Sequence, residues 1–432
     1  MTSQENATHS FVQEKLSSFT DKVSGDFSRP VAKFVKEMLF GLCGTGSASV
    51  FNIAKNIQDT VSTKKTSERL YRNLRREGLD IQLQQALLDI VCPKIKADSL
   101  IIVDDSDIEK PYARKMQGLK KVHNGSKATQ SMGYLLMDII ACLESENGYK
   151  LLPISSNLVS TDLEVDSAKQ LLQDRLVEIN IKSKGKGIFV FDRGYDDREL
   201  IGFLVDNGMS FILRGMGKRN VFEHQVEHDF RQIVRSMDFR YELPGYKENE
   251  VLHCATRKIG VRTDGHPSKD ANSVEASLVV ARRYKHCRQK GKDFYIICNF
   301  PAENLTDREI VEKAIAAYNK RWKIEEVHRQ MKQDFKWEGM RLASYQGLKN
   351  LNTLLCLALY FIYSCQDWLA RIAETYCKMI YFRPKDRKSP LKFVYYRIAC
   401  AIRACLSSVR FYNNSPYRSD QTEPLQMKIR LV

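Results

Sequence analysis

Between residues 99 and 214 helical periodicity gives way to short apolar runs, and this switch limits what the chain can fold into more than any other feature. SLIIVD (99–104), GYLLMDIIACLE (133–144) and YKLLPIS (149–155) read as strands. Glu-Asn-Gly marks a turn between the last two, which should form an antiparallel hairpin. A helical segment from about Asp162 to Ile181 follows, then a strand GIFVFD (187–192), a short helix near Asp197 to Asn207 and a strand MSFILR (209–214). The order β, β, β, α, β, α, β calls for an α/β core, a mixed sheet flanked by helices.

At 432 residues the chain exceeds one compact domain. The pattern divides it into five regions. Residues 1–98 read as a helical domain, 99–215 as the first part of the core, 216–294 as a β-rich insertion, 295–345 as the second part of the core, and 346–432 as a helical basic region. In the first region Val50, Ile53, Ala54 and Ile57 recur at helical spacing, and a second helix, Thr63 to Glu77, places Leu70 and Leu74 on one face. Arg69, Arg72 and Arg76 share another face of that segment. They suit a helix laid along DNA phosphates and equally a solvated basic helix. The insertion shows short β-like runs such as VLHCATRKIGV (251–261) and EASLVVARRY (275–284), and a long helix is expected from about Asp307 to Phe335.

Sixty-eight Lys and Arg against 52 Asp and Glu give a net charge of +16, which favours a polyanionic partner, nucleic acid ahead of an anionic membrane. Residues 346–432 hold 14 basic and 5 acidic side chains, so a binding face should include them. The 11 cysteines are scattered without a C-x-x-C pair, which argues for reduced thiols in a cytosol and against a disulfide framework or zinc ribbon. His253-Cys254 and His286-Cys287 lack ligand spacing and read as ordinary strand residues. No signal peptide is visible, and the greasy stretch Leu351 to Leu369 carries Asn352, Gln366 and Asp367, as a buried helix does. NGSK (124–127) and GMGK (215–218) lack phosphate-loop spacing, so no nucleotide cofactor is expected.

Two of the strands end in acids, Asp104 and Asp192. The long helix places Tyr318, Arg321, Glu325, His328 and Lys332 at steps of three, four, three and four, one stripe on the side that should pack against the sheet. Burying these groups without partners is costly, so metal ions and phosphates are the natural candidates. The alternative on this helix alone is an Arg321–Glu325 pair on a solvated face.

These residues resemble a known family. Tyr318, Arg321, Glu325 and Lys332 are similar to the signature of the insertion-sequence-4 family of bacterial DDE transposases, and Trp322, Ile324, Glu326 and His328 agree with its hairpin-forming, cut-and-paste members. Asp192-Arg-Gly-Tyr-Asp196 resembles the family's second-aspartate motif, and Val103-Asp104-Asp105-Ser106 its first. The resemblance spans residues 99–350 and implies a ribonuclease-H-like catalytic core with helical terminal domains. It implies metal ligation and catalysis by Asp104, Asp192 and Glu325, with two Mg2+ ions for which Mn2+ can substitute, and Asp105 as the rival first ligand. Arg321, Lys332 and Tyr318 would hold phosphates, and His328 would contact the scissile phosphate or support the Glu325 carboxylate. The implied activity is cleavage and strand transfer at terminal inverted repeats and target DNA by a homodimer, in a bacterial cytoplasm near the nucleoid and with no membrane role. A nuclease without strand transfer and a non-catalytic DNA-binding regulator are the alternatives. Family members that form hairpins use an insertion tryptophan, whereas Trp322, Trp337 and Trp368 all lie outside residues 216–294.

Overall fold

The computed structural model describes residues 3–124, 129–145, 148–160, 168–217, 219–224, 226–245, 247–263, 273–302, 304–380 and 394–407. The chain forms two compact units, Met1–Arg75 with Asp367–Val432, and Arg76–Gln366. The helical N-terminal region expected at 1–98 therefore divides at residue 75, and the C-terminal region expected from 346 begins at 367.

The first unit opens with α1 (Ser3–Val23), α2 (Arg29–Thr45), α3 (Val50–Ile57) and α4 (Thr63–Leu74). Ser49 and Ser62 cap α3 and α4 by accepting from the amides of Asn52 and Lys65. The apolar residues chosen from sequence, Val50, Ile53, Ala54, Ile57, Leu70 and Leu74, are all buried. Gly41 of α2 lets α3 approach closely, since a Cβ there would lie 2.3 Å from the Ile53 side chain. The basic stripe differs from expectation. α4 ends at Leu74, so Arg76 lies beyond the helix. Arg69 turns inward: its Nη1 donates to Glu37 Oε2 at 2.5 Å and its Nη2 to Glu37 Oε1 at 3.1 Å and Asp59 Oδ2 at 2.9 Å. Glu37 sits on α2 with no exposed surface, and a carboxylate there needs a cation. Arg72 remains exposed on α4.

The second unit begins with α5 (Leu79–Val91), then β1 (Leu100–Glu109), β2 (Lys120–Asn124), β3 (Thr129–Ser145), β4 (Gly148–Val159), α6 (Ala168–Lys182), β5 (Ile188–Phe191), α7 (Arg198–Asp206) and β6 (Ser210–Arg214). β7 (Asn220–Glu223), β8 (Val226–Asp229), α8 (Phe230–Arg235), β9 (Tyr241–Pro244), β10 (Glu250–Arg262), β11 (Ser273–Lys285), β12 (Arg288–Gln289) and β13 (Phe294–Asn299) follow. The unit closes with α9 (Asp307–Lys320), α10 (Ile324–Arg329) and α11 (Tyr345–Ser364), and the first unit resumes with α12 (Leu369–Ile380) and α13 (Val394–Ser407). The NGSK and GMGK sequences and the turn between β3 and β4 fall wholly or partly outside the described residues, as do 381–393 and 408–432 of the basic tail.

One sheet of thirteen described strands runs β2-β3-β1-β5-β6-β13-β11-β10-β7-β8, with β4 on β3, β9 on β10 and β12 on β11. β3 and β4 form the expected antiparallel hairpin, and β1, β5 and β6 are mutually parallel. The result is a mixed α/β unit consistent with a ribonuclease-H-like core. The described strands of the insertion join the same sheet. Its long strands β10 and β11 pair antiparallel, and β13 joins β11 to β6, which extends the core sheet. Cys254 is buried on β10 and the His253 ring meets Tyr284 edge-on, so this pair serves the strand.

By length and composition the α11 stretch could cross a membrane. Its residues are instead buried against β4 and α5, and Asn352 Nδ2 donates to the backbone O and Oγ of Ser156 at 3.0 and 2.8 Å. Those bonds offset the cost of placing an amide in a core.

Candidate active site

The parallel register of β1 and β5 creates the site. Leu100 pairs with Ile188 and Ile102 with Val190, so Asp104 and Asp192 stand at matching positions two residues further on. Equal parity puts both carboxylates on one face, on strands about 4.8 Å apart. The apolar residues behind them, Ile101 to Val103 and Ile188 to Phe191, are buried and fix both acids, although β1 continues past Asp104 to Glu109 and does not end at 104 as the sequence suggested. On the other side of β1, Asp104 is the register partner of Asp138 on β3. Asp104 and Asp138 therefore face each other across β1 and β3, with Asp192 just past the end of β5.

The helix that faces them starts at a capping box. Thr306 N donates to Glu309 Oε2 at 2.8 Å, and Glu309 N to Thr306 Oγ1 at 3.3 Å. The expected single helix is segmented: a 3-10 turn at Arg321–Lys323 separates α9 from α10, and a π-helical turn occupies Gln330–Asp334. Its stripe crosses the aspartates in order. Tyr318 donates its hydroxyl to Asp192 Oδ1 at 2.7 Å, Arg321 Nη1 donates to Asp104 Oδ2 at 2.9 Å, and Arg321 Nε lies 3.9 Å from Asp192 Oδ1. Two turns on, His328 Nε2 lies 3.0 Å from Asp138 Oδ2, with both side chains buried. Glu325 sits between these contacts, while Glu326 is engaged by Lys323 at 2.9 Å. Lys332, on the wider π turn, leaves the stripe and lies 4.0 Å from Glu338.

Lys110, which follows β1, clips this strand to the segment after the helix by donating to the carbonyls of Trp337, Glu338 and Met340 at 2.8 Å each. Asp196, the second acid of the Asp192 motif, accepts from Met216 N at 2.5 Å and Arg219 Nε at 2.6 Å. It anchors the first loop of the insertion to the end of β5.

The electrostatics show how crowded the acids are. Burial holds the Asp104 carboxyl above its ordinary range against the pull of Arg321 and His328, and the charge of Asp192 adds to the rise. Glu325 is raised by burial, opposed by Arg321 and reinforced by Asp104. For Asp192 burial also pushes upward, but the Tyr318 hydroxyl, the Arg193 amide and the charges of Arg321 and Arg214 outweigh it and hold the carboxyl below its usual value. Burial and the Asp192 bond push Tyr318 up to about 12. Arg321 thus acts as a cation shared by Asp104 and Asp192.

Asp105 has the opposite parity to Asp104 and makes no contact with Arg321 of the kind Asp104 makes. It stays accessible to water in the cleft, beside Tyr195, and the surrounding protein with Asp104 and Asp138 raises it to about 6 despite the Tyr195 hydroxyl. Because the folded-state value exceeds the ordinary 3.8, Asp105 favours the fold below about pH 4, and that contribution is lost as pH rises through 6. Asp105→Asn should therefore raise stability at pH 7, by about 1 kcal/mol after allowing for its access to water, with no gain below pH 4. Thermal melts in chelator at the two pH values test this, and an equal effect at both would refute it.

Sequence reasoning missed Asp138 and Tyr195. Asp138 left one signal, an acid in the middle of the apolar run GYLLMDII, but its partner His328 lies 190 positions away. The residues brought together are Asp104, Asp192, Tyr318, Arg321, Glu325 and His328. Arg69 and Arg72 belong to the other unit, and Arg76 begins this one.

Among the described residues no three His, Cys, Asp or Glu side chains converge closely enough to hold an ion as they stand. The donor set nevertheless suits a hard divalent cation, since Asp104, Asp192 and Glu325 offer oxygen only and two of them already share a cationic group.

The mixed sheet, with Asp104 within β1 and Asp192 just past β5, is crossed by the helix that bears Glu325. The chain matches the family model of the transposase DDE domain over residues 95–361, more than half its length, and it belongs to that family. No curated protein matches it.

Proposed function

We propose that this DDE transposase is of the insertion-sequence-4 type and cuts and rejoins DNA in cut-and-paste transposition, with Asp104, Asp192 and Glu325 as catalytic acids and metal ligands. The observation that carries the reading is the matched register of Asp104 and Asp192, with Arg321 between them and Glu325 one turn further along the helix. Two divalent cations, Mg2+ or Mn2+, held by these carboxylates would supply activation of water or a 3′-hydroxyl and charge stabilisation at the leaving oxygen. The protein's own residues position the DNA. With cations on Asp104 and Asp192, Arg321 and Tyr318 would be free to turn their N–H and O–H donors to phosphate oxygens. His328, braced by Asp138, holds the helix turn that carries Glu325, and Lys332 adds charge at the far end of the cleft. Arg72 and Arg76 are assigned to phosphate contacts outside the catalytic site.

The partners on this reading are the element's terminal inverted repeats and target DNA, brought together by a homodimer in the bacterial cytoplasm. Incubation of the protein with its element's end sequence, a supercoiled target plasmid and Mg2+ tests it. Joined end–target products are the expected result. Nicks without joining would reduce the protein to a nuclease, and binding without either would make it a regulator.

A further inference from the structure

Beside Asp192 the second unit contains a cleft of about 830 Å3 that the catalytic reading does not use. Its walls come from four segments: Arg193 after β5, Arg214 at the end of β6, Arg231 of α8, and Lys292, Asp293 and Tyr295 at the start of β13. Gly215 on its floor has no room for a side chain, because a Cβ would lie 2.9 Å from the Phe230 ring.

The charges in this cleft are unbalanced. Among the described residues the side chains of Arg193, Arg231 and Lys292 form no ion pair or hydrogen bond. Arg214 places its guanidinium 4.6 Å from the centre of the Phe294 ring, donates to the Tyr318 hydroxyl and adds its charge to those beside Asp192, so it joins the cleft to the acids. The single acid, Asp293, is already satisfied from outside the cleft by Arg282 Nε at 3.2 Å from both its oxygens and by Gln289 at 3.0 Å. Some surface cations elsewhere pair with acids, as Lys169 does with Asp197, Lys182 with Asp89 and Arg308 with Glu312, whereas those of the cleft converge on one cavity. Three cations without acid partners around one cavity, with Arg214 beside them, repel one another, and a polyanion removes that cost. The cleft volume is that of a small-ligand site, within about 300–1,000 Å3, so it suits one or two nucleotides of a single strand.

We propose that this cleft is a phosphodiester channel in which Arg193, Arg214, Arg231 and Lys292 hold the backbone of one DNA strand where it passes Asp192. The assignment rests on DNA being the substrate of the adjacent acids. It gives the insertion a specific task, since Arg231 and Lys292 are its contribution to the channel.

The test is equilibrium binding of the full chain and an Arg231→Ala/Lys292→Ala variant to a duplex with a short single-stranded tail and to the same duplex blunt-ended, in chelator, over a range of salt. For the tailed DNA the variant should lose about 1.4 from the slope of log affinity against log salt, the counterion release of two contacts on a single strand, and should bind more weakly. The blunt duplex should show little change. An unchanged slope in the tailed DNA overturns the channel, as does an equal loss on both DNAs. A melt of each variant checks folding, and Arg231→Gln/Lys292→Gln replaces the pair if the alanines unfold. Cleavage by the parent protein is assayed on the same DNA with Mg2+. A slope loss without any cleavage would defeat the catalytic reading and leave the channel standing, whereas cleavage with an unchanged slope would do the reverse.

Discussion

An Asp192→Asn protein is expected to cleave DNA at least about 10^3-fold more slowly than the parent, a loss of about 4 kcal/mol in transition-state stabilisation. Asparagine keeps the size of the side chain and an oxygen to accept from Tyr318, so the bond now measured at 2.7 Å can persist and the strand end need not move. What disappears is the charge. That charge is present throughout the useful pH range, because Tyr318, the Arg193 amide, Arg321 and Arg214 hold the carboxyl below its ordinary value. Binding should respond in the opposite sense. Removing an anion beside Arg214 and Arg321 leaves more positive charge for phosphates, so affinity for DNA in chelator should hold or rise. Because the acids act as a set, Asp104→Asn/Asp192→Asn should be no slower than either single variant. Retention of cleavage within tenfold of the parent would remove Asp192 from the reaction, and weaker binding would show that the substitution had disturbed the fold.

The parts of this arrangement that were legible in the sequence are those encoded locally. Ile101 to Val103 and Ile188 to Phe191 are continuous apolar runs that can only be buried strands, and an acid at the end of each is visible without knowing its neighbours. The stripe of Tyr318, Arg321, Glu325 and His328 follows from helical spacing alone, and Tyr318, Arg321 and His328 each meet one of the aspartates. Lys332 departs because a π-helical turn changes the phase, and no residue in QMKQD announces such a turn. What could not be read depends on partners far apart in the chain. Asp138 joins the site through pairing with β1, and the basic cleft assembles from segments around residues 193, 214, 231 and 292. The insertion showed its strands clearly but not their edges. Whether β11 ends a separate domain or pairs with β13 is decided by hydrogen bonds that leave no mark on composition.

Arg69 separates local from non-local information most sharply, and it carries the largest stability prediction. On a helical wheel it shares a face with Arg72, and both look like phosphate ligands. In the fold its guanidinium spans Glu37, which has no exposed surface, and Asp59, which is 11% exposed. Arg69→Ala would leave the Glu37 carboxylate buried without its main cation, since Lys33 is 4.0 Å away and more than half exposed. The expected cost is about 3–5 kcal/mol, seen as a lowered thermal midpoint or a shift in urea midpoint for the unit formed by Met1–Arg75 and Asp367–Val432. Glu37→Met/Arg69→Met, which removes both charges and keeps the volume, should recover most of that loss, although Asp59 then loses a partner. Arg72 should behave in the contrary way. It is exposed, so Arg72→Ala should leave stability within about 0.5 kcal/mol and lower the salt slope for duplex DNA by about 0.9. If Arg69→Ala proved as stable as the parent and instead lowered the salt slope, the buried ion pair would not hold α2 and α4 together, and the sequence-level assignment of Arg69 to DNA would stand.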